Sequence, residues 1–489
     1  MDRESMPNYE TVIGLEVHIH LLTRTKIFCG CSTRFGAEAN TQVCPVCLGL
    51  PGSLPVLNRQ AVEFAIRLAL ATQSFIRPRS TFARKNYFYP DLPKGYQISQ
   101  FEEPFCEQGF LEVRTGDSAA KRIRLNRIHL EEDAGKSVHA EAYVAGDETL
   151  IDINRCGVPL LEIVTEPDLR SPEEAHAYLV QLRRLVRYLG VCDGNMEEGS
   201  LRCDANVSIR PQGSTTLGVK TEVKNMNSFA SVQAAIAFEV QRQMQLVNSG
   251  KAVEQVTLLW DANRGVAEPM RSKEYSHDYR YFPEPDLPAI QVPEAWIDEV
   301  RRNMPQLAEA RQERYTQEWG LPAYDAAVLT DDRDIADYFE RVAGRVADKK
   351  LVSNWVMGEV LRSLKEDKVA ITDFRVTSDA LAELLHLISR NVLNQTAAKK
   401  VFEGVRQTGA TPAQIMKERG LEQISDEGAL AGVIDQVLTQ HPQEAAAYRQ
   451  GQQKVFGFLV GEVMKASSGK ANPKMTQEIL RRKLDTGKE

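Results

Sequence analysis

Three carboxylate-bearing segments and one group of cysteines hold the residue types that could do chemistry. In the first, Glu16, His18 and His20 alternate with Leu15, Val17 and Ile19. In a strand these two sets project from opposite faces. A carboxylate and an imidazole two positions apart on one face are close enough to share a divalent cation; a solvated sheet face shows the same pattern. In the second, Leu201, Cys203, Ala205, Val207 and Ile209 oppose Arg202, Asp204, Asn206, Ser208 and Arg210. A turn through Pro211–Gly218 then leads to Val219, Thr221 and Val223, with Lys220, Glu222 and Lys224 on the other side. This predicts an antiparallel hairpin whose polar face carries Asp204 and Glu222 among cations, a pattern that ordinary cross-strand ion pairing also explains.

The third segment is His129-Leu-Glu-Glu-Asp-Ala-Gly-Lys136. In a regular strand Glu131 and Glu132 face opposite sides, so both serve one site only if the strand bulges or ends there. The apolar alternation slips between Leu125 and Ile128, as a bulge would make it. Several carboxylates and a histidine on strands suit a hard cation such as magnesium. Magnesium bridging ATP phosphates would account for them, with Lys136, Lys220 or Lys224 offsetting phosphate charge. No Gly-rich loop followed by Lys-Ser/Thr and no dinucleotide fingerprint is present, so a nucleotide site here is of another kind.

Cys29-Gly-Cys31 and Cys44-Pro-Val-Cys47 are separated by twelve residues. Such pairs can place four thiolates tetrahedrally around a structural zinc. The single residue between Cys29 and Cys31 is shorter than the usual spacing, and reduced, unliganded thiols are the alternative. Cys106, Cys156, Cys192 and Cys203 lack such spacing and read as core thiols. Lys454–Lys488 holds eight Lys or Arg against three Asp or Glu. Lys465, Lys470 and Lys474 surround the loop Ser467–Pro473. That is a plausible surface for a phosphate backbone, or a solvated helical face.

The elements that must position these residues follow from periodicity. Thr11–Leu22, Lys121–Glu132, Leu201–Arg210 and Val219–Lys224 read as strands. A helix starts at Ser171, with Pro172 first and Glu174 placed for a capping box, and stops at Gly190; another runs from Ser228 to Val247. The Pro-rich stretch Phe282–Pro293 marks a boundary, beyond which the period is helical. The expectation is an α+β chain. It would consist of a mixed N-terminal domain with an antiparallel sheet and flanking helices over 1–293, a helical domain over 294–409 and a helical tail over 410–489.

At 489 residues the chain is long enough for several cores, and 43% hydrophobic with 26% charged residues is ordinary for a globular protein. Net charge of −7 argues against coating nucleic acid everywhere but leaves room for a local basic patch. The polar N-terminus does not read as a secretory signal. No apolar run approaches the roughly 20 residues that cross a bilayer. The expectation is a cytoplasmic protein.

Several of these segments resemble blocks of a known family. Gly14-Leu-Glu-Val-His18, His129–Lys136, Gly199-Ser-Leu-Arg-Cys-Asp-Ala-Asn206 and Lys220-Thr-Glu-Val-Lys-Asn-Met-Asn-Ser-Phe229 look like the signatures of GatB, the B subunit of aspartyl/glutamyl-tRNA(Asn/Gln) amidotransferases. Ala83–Gln97, Tyr275–Leu287 and the tail Gly469-Lys-Ala-Asn-Pro-Lys474 match it as well, so the resemblance runs the length of the chain in order. It implies one part of a heterotrimeric carbon–nitrogen ligase. A partner amidase subunit releases ammonia, a small third subunit helps hold the large ones together, and this subunit uses ATP and magnesium to phosphorylate the side-chain carboxylate of Glu-tRNA(Gln) or Asp-tRNA(Asn) for amidation. Nothing here looks like the Ser-Ser-Lys region of an amidase. By the family pattern Glu16, His18, Glu131, Glu132, Asp204 and Glu222 would be metal-site and catalytic residues. Lys85, Tyr87, Lys94 and Asp286 would line the ammonia route, the four cysteines would hold zinc, and the tail lysines would meet tRNA. The rival from another class is a non-catalytic scaffold that binds tRNA and the amidase.

Overall fold

The computed structural model describes residues 8–116, 119–139, 148–270, 279–421, 426–467 and 470–486, and strands form in it where side chains alternate between apolar and polar. The chain divides into two units, Met1–Leu307 and Ala308–Glu489.

The first unit is built on β1 (Tyr9–His20), β2 (Ala83–Asn86), β3 (Tyr96–Ser99), β4 (Lys121–Glu132), β5 (Pro159–Thr165), β6 (Leu201–Pro211), β7 (Thr221–Met226), β8 (Thr257–Asp261) and β9 (Val266–Pro269). Among the described residues the main sheet runs β9-β8-β7-β6-β1-β5-β4 and continues through Cys106–Glu107 to Phe75–Ile76. Only the β7–β8 pair in that run is parallel. The β2–β3 hairpin belongs to a separate small sheet completed by Phe282–Pro283. The expected hairpin of Asp204 and Glu222 is the β6–β7 pair.

One face of the sheet is apolar. Ile13, Leu15, Val17 and Ile19 of β1 share a buried core with helices α1 (Arg59–Ala71), α2 (Pro172–Tyr188) and α3 (Phe229–Asn248), through side chains such as Leu68, Tyr178, Leu182 and Ile236. Each fully buried Leu or Ile contributes about 1.5–3 kcal/mol, so this face fixes the register and leaves the opposite face free to be polar. The α2 cap differs from the expected box. Ser171 Oγ accepts from the Glu174 N–H at 3.1 Å, but the Glu174 carboxylate takes the Arg170 N–H at 2.7 Å and pairs with Lys121. Gly190, at φ +65°, then ends the helix in a backbone conformation that other residues rarely adopt.

Helix α4 (Glu294–Arg302) follows the Pro-rich stretch, and its Ile297 and Val300 join the first core. The expected boundary at 293/294 thus precedes a helix that packs with the first unit. The second unit is helical. One core runs from Tyr315 to Met416 and another from Leu430 to Leu484. Gly409, at φ +75°, caps the helix Gln395–Thr408, and Ile415 and Met416 beyond it still pack in the earlier core. The architecture is α+β, as the change of period predicts. No helix among the described residues is long and apolar enough to cross a membrane.

Candidate active site and metal centre

Strand register assembles the polar face. His18 on β1 lies opposite Glu162 on β5, Glu162 lies opposite His129 on β4, and on its other side His18 faces Arg202 on β6. His129, Glu162, His18 and Arg202 therefore form one row across four strands. The Glu162 carboxylate lies 3.6 Å from His18 Nε2 and 4.0 Å from His129 Nδ1. Glu131 follows on the same face of β4, and donor atoms of His129, Glu131 and Glu162 all lie within 4.8 Å of one another. Gln97 Nε2 and Ser99 Oγ, from β3, donate to Glu131 at 2.6 and 2.5 Å.

Glu162 is not among the residues that spacing singles out. Its signal is a lone carboxylate in the apolar run Pro-Leu-Leu-Glu-Ile-Val of β5. The bulge between Leu125 and Ile128 is present: the β5–β4 register steps from Val164↔Arg127 to Thr165↔Leu125, leaving Asn126 as the extra residue. It returns Ile128 and Leu130 to the core and turns His129 and Glu131 to the polar side. Regular alternation then resumes, so Glu132 falls on the other side from Glu131.

The electrostatics follow from burial and this row. Burial pushes the His129 imidazole down to about 4, reinforced by Arg127 against Glu162, so the ring is neutral at pH 7. Burial also opposes the His18 charge, but Glu162 holds its pKa above the ordinary value. Burial would raise Glu162, yet His18 and His129 hold it below the usual carboxylate range. Glu131 is pushed up by burial, opposed by Lys85. A neutral imidazole among carboxylates is a donor set that fits a divalent cation.

The remaining predicted carboxylates lie further across the sheet. Glu16 faces Asp204 in the β1–β6 register and accepts from Asn206 Nδ2 at 2.9 Å. Lys224 Nζ bridges Asp204 at 2.6 Å and Glu222 at 2.9 Å. Of the three candidate cations, Lys224 joins this face, whereas Lys220 is exposed before β7 and Lys136 is exposed on a ribbon with Thr149–Asp152. Below the row, Asp133 accepts from His20 at 2.6 Å and pairs with Arg202 at 3.0 Å and Arg155 at 3.3 Å. It thereby fixes the guanidinium that faces His18.

The four residues expected along an ammonia route divide between two places, because β2–β3 alternates as well. Lys85 and Gln97 share one side of the hairpin with Ser99. Burial opposes the Lys85 charge, but Glu131 and Glu162 hold its ammonium above the ordinary pKa, and Tyr87 Oη donates to Gln97 at 2.7 Å. Lys94 pairs instead with Glu132, whose carboxylate also accepts from the Ile98 N–H at 2.8 Å. Lys94, Glu132 and Asp286 line a cavity of about 60 Å³ that reaches Cys29 and Cys47.

Ligand atoms of Cys29, Cys31, Cys44 and Cys47 lie within 4.8 Å of one another. Four thiols so gathered can hold a metal ion such as zinc. In the tail, Lys470 and Lys474 are exposed, and Lys465 is exposed beside Glu462. Residues 468–469 of the expected loop lie outside the described residues. Arg482 and Lys483 are paired with Glu427 and Asp435.

A family model described as the GatB/GatE catalytic domain matches residues 11–298, and a second, described as a GatB domain, matches residues 337–484. The B subunit of the aspartyl/glutamyl-tRNA(Asn/Gln) amidotransferase of Geotalea daltonii is 55% identical over 476 residues, 97% of this chain and 99% of that protein. The protein of the same description from Prosthecochloris aestuarii is 54% identical, covering 98% and 99%. The chain belongs to the GatB family. The GatB catalytic-domain match spans the whole carboxylate face and the cysteine cluster, and the second GatB match contains all of the last helical core and most of the one before it.

Proposed function

We propose that this chain is the activating subunit of a tRNA-dependent amidotransferase. It takes Glu-tRNA(Gln) or Asp-tRNA(Asn), uses ATP to phosphorylate the side-chain carboxylate, and lets ammonia from a partner amidase subunit displace phosphate. A small third subunit completes the assembly. Activation is needed because ammonia attacking a bare carboxylate would have to expel oxide, whereas phosphate leaves readily. The observation that carries this reading is the row His129–Glu162–His18–Arg202 with Glu131 beside it.

In this scheme His129, Glu131 and Glu162 hold magnesium, with Glu16, His18, Asp204 and Glu222 completing the acidic face. Bound magnesium would offset charge on the phosphates. The neutral His129 offers a lone pair, and Gln97 and Ser99 keep Glu131 oriented. Arg202, fixed by Asp133, supplies a permanent positive charge next to His18, and Lys85 supplies a second beside Glu131. Lys94, Glu132 and Asp286 line the approach for ammonia. The four cysteines hold zinc as a structural ion, and Lys465, Lys470 and Lys474 meet the tRNA backbone.

The test uses the assembled enzyme. His18→Ala is expected to lower ATP-dependent transamidation of mischarged tRNA by about a hundredfold or more while glutaminase activity persists. Wild-type transamidation by that variant would favour the scaffold, in which only tail substitutions matter.

A further inference from the structure

Lys26 has no exposed surface, which is unusual for a lysine. Its ammonium group lies 3.7 Å from Cys47 Sγ. Its stem packs beside Gly157, where an added Cβ would stand 3.4 Å from Lys26 Cδ and 3.6 Å from Cys47 Cβ. An ammonium taken out of water needs an anion close by. Among the described residues no carboxylate pairs with Lys26, and the two that line the same cavity are already matched, Glu132 by Lys94 and Asp286 by Arg84. A neutral thiol would leave the Lys26 charge without compensation.

The cysteine cluster has the opposite imbalance. Four thiolates around a divalent ion leave an excess negative charge in a partly buried site. The Cys44 N–H, donating to Cys47 Sγ at 3.1 Å, offsets only part of it. We infer that Lys26 is the counter-ion of the cysteine metal centre: its ammonium neutralises part of the negative charge that the thiolates leave around the ion, and its burial is tolerated because that charge is there. Lys26 touches a ligand sulfur and not the ion, so it is a positioning residue. It also faces the cavity that Lys94 and Glu132 line, which puts the metal centre and that ion pair on one shared wall. The inference rests on reading the four thiols as a metal site.

Zinc content per chain and the rate of zinc transfer to a chromophoric chelator test it on the full-length protein in its assembled complex. Lys26→Met keeps the length of the stem and removes the charge. It is expected to release zinc about 10–100-fold faster than wild type, the range for losing a partner of a ligand group. Lys94→Met with Glu132→Gln, which removes the other buried ion pair of the cavity as a unit, is expected to release it at the wild-type rate. Release from Lys26→Met at the wild-type rate, or equal acceleration by both variants, overturns the inference while leaving the metal reading intact. Wild-type protein that holds no zinc overturns both. A measurement on the unaltered chain covers the case in which Lys26→Met does not fold. Lys26 should resist acylation by acetic anhydride while zinc is bound and react at least tenfold faster once a chelator has removed it; equal reactivity in the two states overturns the inference.

Discussion

Glu131 and Glu132 are consecutive in the chain and serve opposite sides of one strand. Glu131 accepts from Gln97 and Ser99 on the carboxylate face, and Glu132 pairs with Lys94 at the cavity beside the cysteines. The Lys94 and Glu132 side chains are only 5% and 2% exposed. Breaking so buried a pair by removing one partner costs about 3–5 kcal/mol, whereas removing both can be near neutral. Lys94→Met should therefore lower the first thermal transition by several degrees, and Lys94→Met with Glu132→Gln should recover most of the loss. A double variant as unstable as the sum of the singles would show that the pair is not the stabilising unit.

The row across β4, β5, β1 and β6 predicts strong coupling between His18 and Glu162. Each single change, His18→Ala or Glu162→Gln, should lower kcat/KM for amidation by about a hundredfold or more, the scale of losing a group that positions charge in a transition state. Because the two act as one unit, the double variant should be little worse than the poorer single. Additive losses in steady-state amidation assays would separate the two residues into independent roles.

Much of this arrangement is legible in the sequence. Alternation places Glu16 with His18 and locates the bulge near Asn126, since a slip in period two is a local signal. The β6–β7 hairpin is equally local. What no local signal gives is the meeting of Glu162 and Arg202 with His18, because it comes from register: only the pairing of β5 and β6 with β1 brings them together. For the same reason Lys85 and Lys94, nine positions apart, cannot be assigned to different sides until the β2–β3 pairing fixes which residues share a face. The domain boundary near 293 is a composition signal, whereas α4 is held to the first unit by Ile297 and Val300.

Asp133 makes the first unit sensitive to acid. Burial would raise its pKa, but Arg202, Arg155 and His20 more than reverse this and hold the carboxylate well below the usual range. A group whose folded pKa is depressed contributes stability above its unfolded value of about 3.9, and that stability is lost as pH falls toward the folded value. Asp133→Asn leaves the half-buried Arg202 without its anion, so it should cost about 1–3 kcal/mol at pH 7. The gap between wild type and variant should narrow progressively below about pH 4. Urea denaturation across that range measures it, and a gap that widens on acidification would reverse the assignment.

The tail offers a charge test with an internal control. Lys470 and Lys474 are exposed on either side of the Asn472 cap, whose side chain accepts from the Lys474 and Met475 N–H groups. Arg482 and Lys483 carry the same charge but are engaged by Glu427 and Asp435. If the lysines meet phosphates, reversing Lys470 and Lys474 together should raise KM for mischarged tRNA roughly tenfold or more and reduce the salt slope of tRNA binding by about one per lost contact. Glutaminase activity and the KM for ATP should not move. Lys483→Glu, which would set a glutamate against Asp435, should instead show as lower stability of the last helical core with a smaller change in the salt slope. An unchanged salt slope after reversal of Lys470 and Lys474 would remove this surface from the tRNA interface.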